Sequence, residues 1–312
     1  MDLKSLWKGR VDSATERTHF RYHQVVEEGS EEGTDLSLIG FASDEGVRRN
    51  QGRPGAADAP DALRTALAGL PWHGGDHSLA DYGNVVCEEG RLEEAQDALA
   101  EQVAAAYGRN SKAVILGGGH ETLYGHYLGA RLHLGPEAKL GIINIDAHFD
   151  LRPYDGETSS GTMFRQILDE DQKAGYFVLG IQRFGNTRSL FEAASKFDVE
   201  YMPEEAVRTA DAAAITRRLH SFIDRHDAVI MTLCMDVLDA AAAPGVSAPS
   251  PFGLDPVTVR SIIRAACSHP DVRSFDISEV NPALDEGGRT VRLGAALTNE
   301  AILALLGKAP EA

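Results

Sequence analysis

The chain has 312 residues, of which 43% are hydrophobic and 25% charged, so it can bury the core of one large domain or two small ones. Its formal net charge of −17 and the lack of any Lys or Arg run argue against nucleic acid or an anionic membrane as partner. No apolar run approaches the roughly 20 residues of a membrane span, and the N-terminus lacks a signal-peptide core, so we expect a cytoplasmic protein. The cysteines Cys87, Cys234 and Cys267 are unpatterned, as expected of reduced thiols.

Six apolar runs predict buried β-strands, because unbroken apolar stretches of this length are typical of a parallel sheet covered on both faces. They span residues 37–42, 113–116, 140–145, 176–181, 228–233 and 272–277. Between them lie helical patterns, such as those of residues 92–107, 211–225 and 255–268, and residues 298–307 predict a closing helix that ends at Gly307. With no repeat and no linker, this alternation favours one doubly wound α/β domain.

The segments that directly follow four of these strands are rich in metal-ligand side chains. They are "GGGHE" (117–121), "DAHFD" (146–150), "CMDVLD" (234–239) and "SEVNP" (278–282). In doubly wound folds ligands bind at the carboxyl ends of the strands, so we expect a site there. The triple glycine lacks the Lys-Ser/Thr of a P-loop and is better explained as room for a close backbone approach beside His120.

Asp146, His148 and Asp150 stand at every second position, so in an extended chain their side chains share one face. Neighbours on that face lie about 6.6 Å apart, which is too far for one ion to contact all three in a straight strand. The spacing predicts either a backbone bend or two ions, and a solvated turn is the simpler alternative. Three strand ends together carry six ligand-type side chains: His120, Asp146, His148, Asp150, Cys234 and Asp236.

Longer segments resemble a known enzyme family. "GGGHE", "DAHFD" and "CMDVLDAAAAPGVSAP" are similar, in this order, to the metal-binding signatures of the arginase/agmatinase (ureohydrolase) superfamily. Five further segments resemble its formiminoglutamase (formimidoylglutamase) branch: "WKGRVD", "RRNQGRPGAADAPDALR", "SSGTMFRQI", "GIQRFGNTRSLF" and "SEVNPALDEGGRTVRLGA". The resemblance implies a single three-layer α/β/α domain over residues 1–312, with a mostly parallel central sheet and residues 1–34 as an N-terminal extension packed on it.

The resemblance also implies two Mn²⁺ ions per subunit. One ion would be held by His120, Asp146, Asp150 and Cys234, and the other by Asp146, His148, Asp236 and Cys234. Asp146 and Cys234 would therefore bridge the two ions.

Two residues depart from the arginase pattern. Cys234 stands where arginases have an aspartate, and its softer sulfur suits zinc or iron better than manganese. Between cations we expect a thiolate in an open cleft that oxidises readily, whereas the alternative is a buried, inert core thiol. Ser160 stands where arginases have a proton-shuttling histidine, so a substrate that does not need the shuttle is favoured.

The implied reaction is hydrolysis of N-formimino-L-glutamate to L-glutamate and formamide, a step of histidine degradation. Asp150 would pass a proton to the leaving amine, and Glu279 would pair with the formimino nitrogens unless it is merely a carboxylate at a helix start. Arg152, Arg183 and Asn186 are candidates for binding the two substrate carboxylates. The alternatives are another ureohydrolase, such as an agmatinase or a guanidino-acid hydrolase, and a metal-poor pseudoenzyme. We expect a small-molecule substrate and a homo-oligomer, with neither nucleic acid nor membrane as partner.

Overall fold

One parallel β-sheet runs through the chain, which the computed structural model describes over residues 3–29 and 32–308. The strands of these residues are β1 (Val26–Glu28), β2 (Leu36–Ala42), β3 (Leu79–Val86), β4 (Lys112–Leu116), β5 (Leu140–Ile145), β6 (Ala174–Ile181), β7 (Glu200–Pro203), β8 (Ala228–Cys234) and β9 (Val272–Ser278). They lie in the order β1-β3-β2-β4-β9-β8-β5-β6-β7, and each neighbouring pair is parallel. The carboxyl ends of the strands therefore meet at one edge of the sheet, where a site can form.

The helices of the described residues cover both faces of the sheet. They are α1 (Glu45–Arg49), α2 (Ala59–Ala68), α3 (Leu92–Gly108), α4 (Thr122–Leu134), α5 (Met163–Glu170), α6 (Arg188–Lys196), α7 (Glu204–Thr209), α8 (Ala212–Ile223), α9 (Pro256–Cys267) and α10 (Arg289–Leu305). In the parts of the chain that the structure covers, none of these helices is long and apolar enough to cross a membrane.

Two apolar clusters fill the space between the sheet and the helices. Residues of α2, α8, α9 and α10, such as Leu63 and Ile262, pack on one face. Residues of α3, α4, α5 and α6, such as Leu99, pack on the other. Within β5, Ile143 belongs to the first cluster and Ile142 to the second, so both faces of the strand are buried. The predicted three-layer α/β/α fold with a parallel sheet is confirmed.

The predicted elements differ from the observed ones mainly at the sheet edges and the last helix. β1, β3 and β7 were not predicted, because β1 and β7 are short and the second half of β3 is partly exposed. α10 begins at Arg289 instead of residue 298. Its first turn is anchored by Asp285, whose carboxylate accepts hydrogen bonds from the backbone N–H groups of Thr290 and Val291. Gly287 and Gly288 directly precede Arg289. Because glycine pairs are typical of turns and loops, the sequence pattern did not predict a helix start there.

The N-terminal segment joins the sheet. Within the predicted extension 1–34, strand β1 pairs with β3, and Val26 lies opposite Leu79. Tyr22 is fully buried and packs edge-on against Trp72, with ring centroids 5.1 Å apart. Its hydroxyl donates a 2.9 Å hydrogen bond to the side-chain oxygen of Asn299 in α10. Residues 1, 2, 30 and 31 of the predicted extension lie outside the described residues.

Candidate metal centre

Two overlapping groups of metal-ligand atoms lie at the carboxyl ends of β4, β5 and β8. The first group consists of one ligand atom from each of His120, Asp146 and Cys234, and these three atoms lie within 4.8 Å of one another. The second group consists of one ligand atom from each of Asp146, His148 and Asp236, and these atoms also lie within 4.8 Å of one another. Because Asp146 belongs to both groups, the geometry fits two neighbouring ions that share this carboxylate.

A backbone bend after β5 brings the alternating residues together. The strand ends at Ile145, and Asp150 adopts a positive φ of 49°, a conformation that few residues other than glycine adopt. The Asp146 carboxylate accepts a 2.8 Å hydrogen bond from the backbone N–H of His148, which tightens the turn. The sequence left a bend and two ions as alternatives, and the structure contains both the bend and two ligand groups.

Direct contacts join the histidines and carboxylates. His120 Nδ1 lies 3.1 Å from Asp146 Oδ2 and 3.0 Å from Asp150 Oδ2. His148 Nδ1 lies 3.3 Å from Asp236 Oδ2. Burial would lower the pKa of both imidazoles, but the neighbouring carboxylates outweigh it and raise the pKa of each well above its ordinary value. These contacts bring several buried acids together, and their negative charge favours the binding of cations.

Protons do not satisfy this cluster completely. Burial and the charge of Asp146 raise the pKa of Asp150 to about 6. Asp236 Oδ1 is buried and accepts no hydrogen bond from any described residue. A buried oxygen that accepts no hydrogen bond and lies beside carboxylate, imidazole and thiol groups is an atom to which a metal ion would bind. The residues present therefore fit a pair of metal ions.

Cys234 is the last residue of β8, and its side chain is only 2% exposed. Burial and the charges of Asp146 and Asp236 raise the pKa of the thiol well above its ordinary value. Cys234 is thus more buried than an open cleft would make it, and the thiolate expected between two cations stays a prediction. A cation in the first ligand group would lower the pKa of the thiol.

Glu279 follows β9 directly and points at the same site. Its carboxylate accepts a 3.0 Å hydrogen bond from the backbone N–H of His120, and its own backbone has a φ of 67°. Burial and the charges of Asp236 and Glu121 raise the pKa of Glu279 to about 8. The alternative of a helix-start carboxylate is wrong, because the next helix, α10, begins only at Arg289.

A pocket of about 320 Å³ opens above these residues. Its floor is formed by His120, His148, Asp150, Cys234, Asp236 and Glu279. Three loops build the wall around it, and their lining residues include Asn50, Gln51, Gly52, Arg53, Arg152, Ser160, Ser247 and Ala248. Ser160 lies in the wall where its backbone N–H bonds to Gly46 O. We refer to these loop residues below as the pocket wall.

The three predicted carboxylate-binding residues lie in different environments. Arg152 belongs to the pocket wall, and its guanidinium makes no hydrogen bond or ion pair with any residue that the structure describes. Arg183 is exposed and does not line the pocket. Asn186 lines it, but its Oδ1 accepts from the backbone N–H of Phe149 and its Nδ2 donates to two backbone carbonyls. Asn186 thus holds the bend after β5, and of the two arginines only Arg152 reaches the pocket.

Sequence reasoning missed Arg53 and Asn50. The guanidinium of Arg53 donates to the carbonyls of Ser247 and Val246, at 2.9 and 2.8 Å, and so joins two loops of the pocket wall. Asn281 of "SEVNP" holds this loop by donating to Arg53 O and Pro54 O. Arg53 and Asn50 both lie in the segment "RRNQGRPGAADAPDALR", for which the sequence predicted no contact with the substrate. Its resemblance to the formiminoglutamase branch was the signal that could have identified it as part of the pocket.

Known proteins resemble the chain in both sequence and fold. The family model described as "Arginase family" matches residues 34–304. The chain is 53% identical over 309 residues to the formimidoylglutamase of Lysinibacillus sphaericus, covering 96% of each protein. It is 54% identical over 306 residues to that of Geobacillus thermodenitrificans, covering 96% of this chain and 95% of the relative. The structure of Trypanosoma cruzi formiminoglutamase with Mn²⁺ superimposes with a TM-score of 0.84 at 26% identity, covering 93% of this chain and 99% of the other.

Proposed function

The chain belongs to the arginase family, and we propose that it hydrolyses N-formimino-L-glutamate to L-glutamate and formamide. The observation that carries the proposal is the pair of ligand groups sharing Asp146 beneath a pocket, in a chain whose bacterial relatives above half identity are named formimidoylglutamase. Such a pocket suits a small, polar substrate. Hydrolysis of this substrate breaks the bond between the amidine carbon and the glutamate nitrogen, and the water oxygen joins that carbon.

Six residues would hold two Mn²⁺ ions. We assign His120, Asp146, Asp150 and Cys234 to one ion, and Asp146, His148, Asp236 and Cys234 to the other. The observed ligand groups support this division in part: neither group includes Asp150, whose Oδ2 lies 3.0 Å from His120 Nδ1, and Cys234 belongs to the first group alone. The T. cruzi formiminoglutamase with Mn²⁺ supports the choice of metal. Bound metal ions of this kind lower the pKa of water and so supply a nucleophile at neutral pH.

Two acids of the pocket floor act on the substrate. Asp150 lies in the pocket floor with its Oδ2 3.0 Å from His120 Nδ1, and we assign it to take a proton from the attacking water and return it to the leaving amine. Glu279, across the pocket floor, faces the cationic formimino nitrogens and orients the amidine carbon. The pKa of Glu279, raised to about 8 in the protein alone, falls when this cation arrives, because an opposite charge favours the carboxylate.

The glutamate part of the substrate carries two carboxylates, and the pocket wall carries two arginines. Arg152 has an uncommitted guanidinium, whereas Arg53 uses part of its donors on backbone carbonyls. A guanidinium binds a carboxylate through two parallel hydrogen bonds, so each arginine suits one end of the substrate. Agmatine has no carboxylate and would be repelled. The predicted cytoplasmic location and homo-oligomeric assembly stay predictions.

A substrate panel tests the proposal. Protein reconstituted with Mn²⁺ is assayed with formiminoglutamate, agmatine, arginine and guanidinobutyrate, and formamide and urea are measured separately. We expect formamide from formiminoglutamate at the highest kcat/KM. Urea release at a higher kcat/KM would assign another ureohydrolase activity, and metal-loaded protein without any turnover would make it a pseudoenzyme.

A further inference from the structure

The second ring nitrogen of His120, Nε2, contacts a residue of the sheet on the side away from the pocket. His120 Nε2 lies 3.0 Å from the hydroxyl of Thr232, a residue inside β8. The Thr232 hydroxyl donates a 2.7 Å hydrogen bond to Asp276 Oδ1, and Asp276 is its partner in the register of β8 with β9. Thr232 and Asp276 are fully buried. A metal-ligand histidine is thus tied to a buried carboxylate through one hydroxyl.

This arrangement determines which nitrogen of His120 keeps a hydrogen. A hydroxyl has one hydrogen, and that of Thr232 is committed to a carboxylate, which only accepts. Toward His120, the Thr232 oxygen can therefore only accept, so Nε2 must carry a hydrogen. Nδ1, which faces Asp146 and Asp150, is therefore the nitrogen that can bind a cation.

Further buried side chains form hydrogen bonds with the Asp276 carboxylate. His126 of α4 lies with Nδ1 2.7 Å from Asp276 Oδ2, and the Ser278 hydroxyl donates to Asp276 Oδ1 at 3.2 Å. Nε2 of His126 bonds to Ser274, whose hydroxyl also meets that of Tyr107. Because these groups are buried, water cannot replace a partner that is lost.

The second ligand group lacks such a support. His148 contacts Asp146 and Asp236 through Nδ1, and no described residue forms a hydrogen bond with its Nε2. Its side chain is also 29% exposed, against 2% for His120. The two histidines therefore differ in how firmly the protein fixes them.

We propose that Thr232 and Asp276, backed by His126, are positioning residues that present Nδ1 of His120 to one of the two metal ions and leave the other ion unaffected. The inference rests on the metal centre of the proposed function. Partners that orient a ligating histidine typically contribute 10- to 100-fold to metal affinity. Removing the Thr232 hydroxyl should therefore weaken one binding step and spare the other.

The test is a Mn²⁺ titration of the metal-free protein, followed by calorimetry and by metal content after dialysis. Thr232→Val keeps a side chain of similar shape but removes the hydroxyl, and we expect one of two Mn²⁺ affinities to fall about 10- to 100-fold. Thr232→Ser should restore both affinities. Tyr107→Phe is the matched control, because it removes a buried hydrogen bond at the far end of the same chain and should leave both affinities unchanged.

A structural role alone would give a different result. Equal affinities in Thr232→Val and wild type, or an equal loss at both steps, would overturn the inference. So would a loss of the same size in Tyr107→Phe. If Thr232→Val does not fold, Asp276→Asn provides the same comparison with a carboxylate replaced by a group of equal size. One weakened step in a protein that does not hydrolyse formiminoglutamate would support the positioning role and refute only the proposed substrate.

Discussion

The pocket floor and the pocket wall are built in different ways. The floor residues His120, Cys234 and Asp236 lie at the carboxyl ends of strands and are almost fully buried. The wall residues Arg53 and Arg152 lie on loops and are exposed. Residues at strand ends are fixed by the sheet, whereas residues on loops can change without disturbing it. The comparison indicates that the floor provides the chemistry and the wall provides the choice of substrate.

The buried side chain of Glu121 connects the pocket floor with the pocket wall. Glu121 follows His120 in "GGGHE", and its carboxylate accepts hydrogen bonds from the Ser43 hydroxyl at 3.0 Å and the Gly46 N–H at 2.9 Å. These contacts hold the start of α1, whose chain continues into the wall loop. Burial raises the pKa of Glu121 to about 7. The same motif therefore supplies a ligand to the floor and an anchor to the wall.

The largest effect is expected at Asp146, the one residue shared by both ligand groups. Asp146→Ala should remove both ions and lower kcat/KM by well over about a hundredfold, since even residues that only orient a ligand contribute that much. Metal content after dialysis is measured together with activity. Asp155→Ala, on an exposed loop, is the control. Two tightly bound ions in Asp146→Ala would show that this carboxylate does not bridge.

A change in the wall should affect substrate binding alone. Arg152→Ala removes a charge-assisted carboxylate contact of roughly 1.5–3 kcal/mol, so KM should rise about 10- to 100-fold with unchanged Mn²⁺ content. Arg183→Ala is the matched control, because Arg183 is exposed and outside the pocket. A raised KM in Arg183→Ala, with wild-type KM in Arg152→Ala, would reverse the assignment of the wall.

Cys234→Asp tests whether residue 234 is a metal ligand of the pocket floor. A carboxylate is a harder ligand than a thiolate, so Mn²⁺ should bind more tightly to the variant. Because the thiol is buried and neutral without metal, metal-free wild type should be slow to react with peroxide. Mn²⁺ titrations of both proteins, with and without prior peroxide, measure the two effects. Equal Mn²⁺ affinities would leave Cys234 as a packing residue.

The smallest effect is expected outside the pocket. Arg49 and the Thr158 hydroxyl both bond to Glu93, and so tie the loop that carries Arg152 to α3. The hydrogen bond from Arg49 lowers the pKa of Glu93 from 4.5 to about 2. A lowered pKa means that the stabilisation is complete above pH 4.5 and is lost as the pH falls toward 2.

Glu93→Gln should therefore lower the free energy of unfolding by up to about 1 kcal/mol at pH 7, as is usual for a solvent-exposed pair, with kcat unchanged. Denaturant unfolding at pH 7 and pH 4 measures the difference between variant and wild type. That difference should shrink at pH 4. A difference that grows at the lower pH would contradict the role of Arg49.

The floor could be predicted from the sequence, whereas of the two arginines in the wall only Arg152 could, because it lies two residues after Asp150. Alternating ligands after apolar strands identify a strand end, and parallel strands bring their carboxyl ends together. The position of Arg53 depends on how the loop after α1 crosses to Ser247, far along the chain. Arg183 and Asn186 are close in sequence, yet one is exposed and the other buried, because the turn between them was not predicted. The burial of Cys234 likewise depends on residues from other strands.

Anomalous diffraction at the manganese edge, from crystals grown with Mn²⁺, tests the shared carboxylate most directly. We predict two peaks, both coordinated by Asp146, with His120 on one and His148 on the other. A single peak, or two peaks of which one does not contact Asp146, would contradict a two-metal centre at these strand ends.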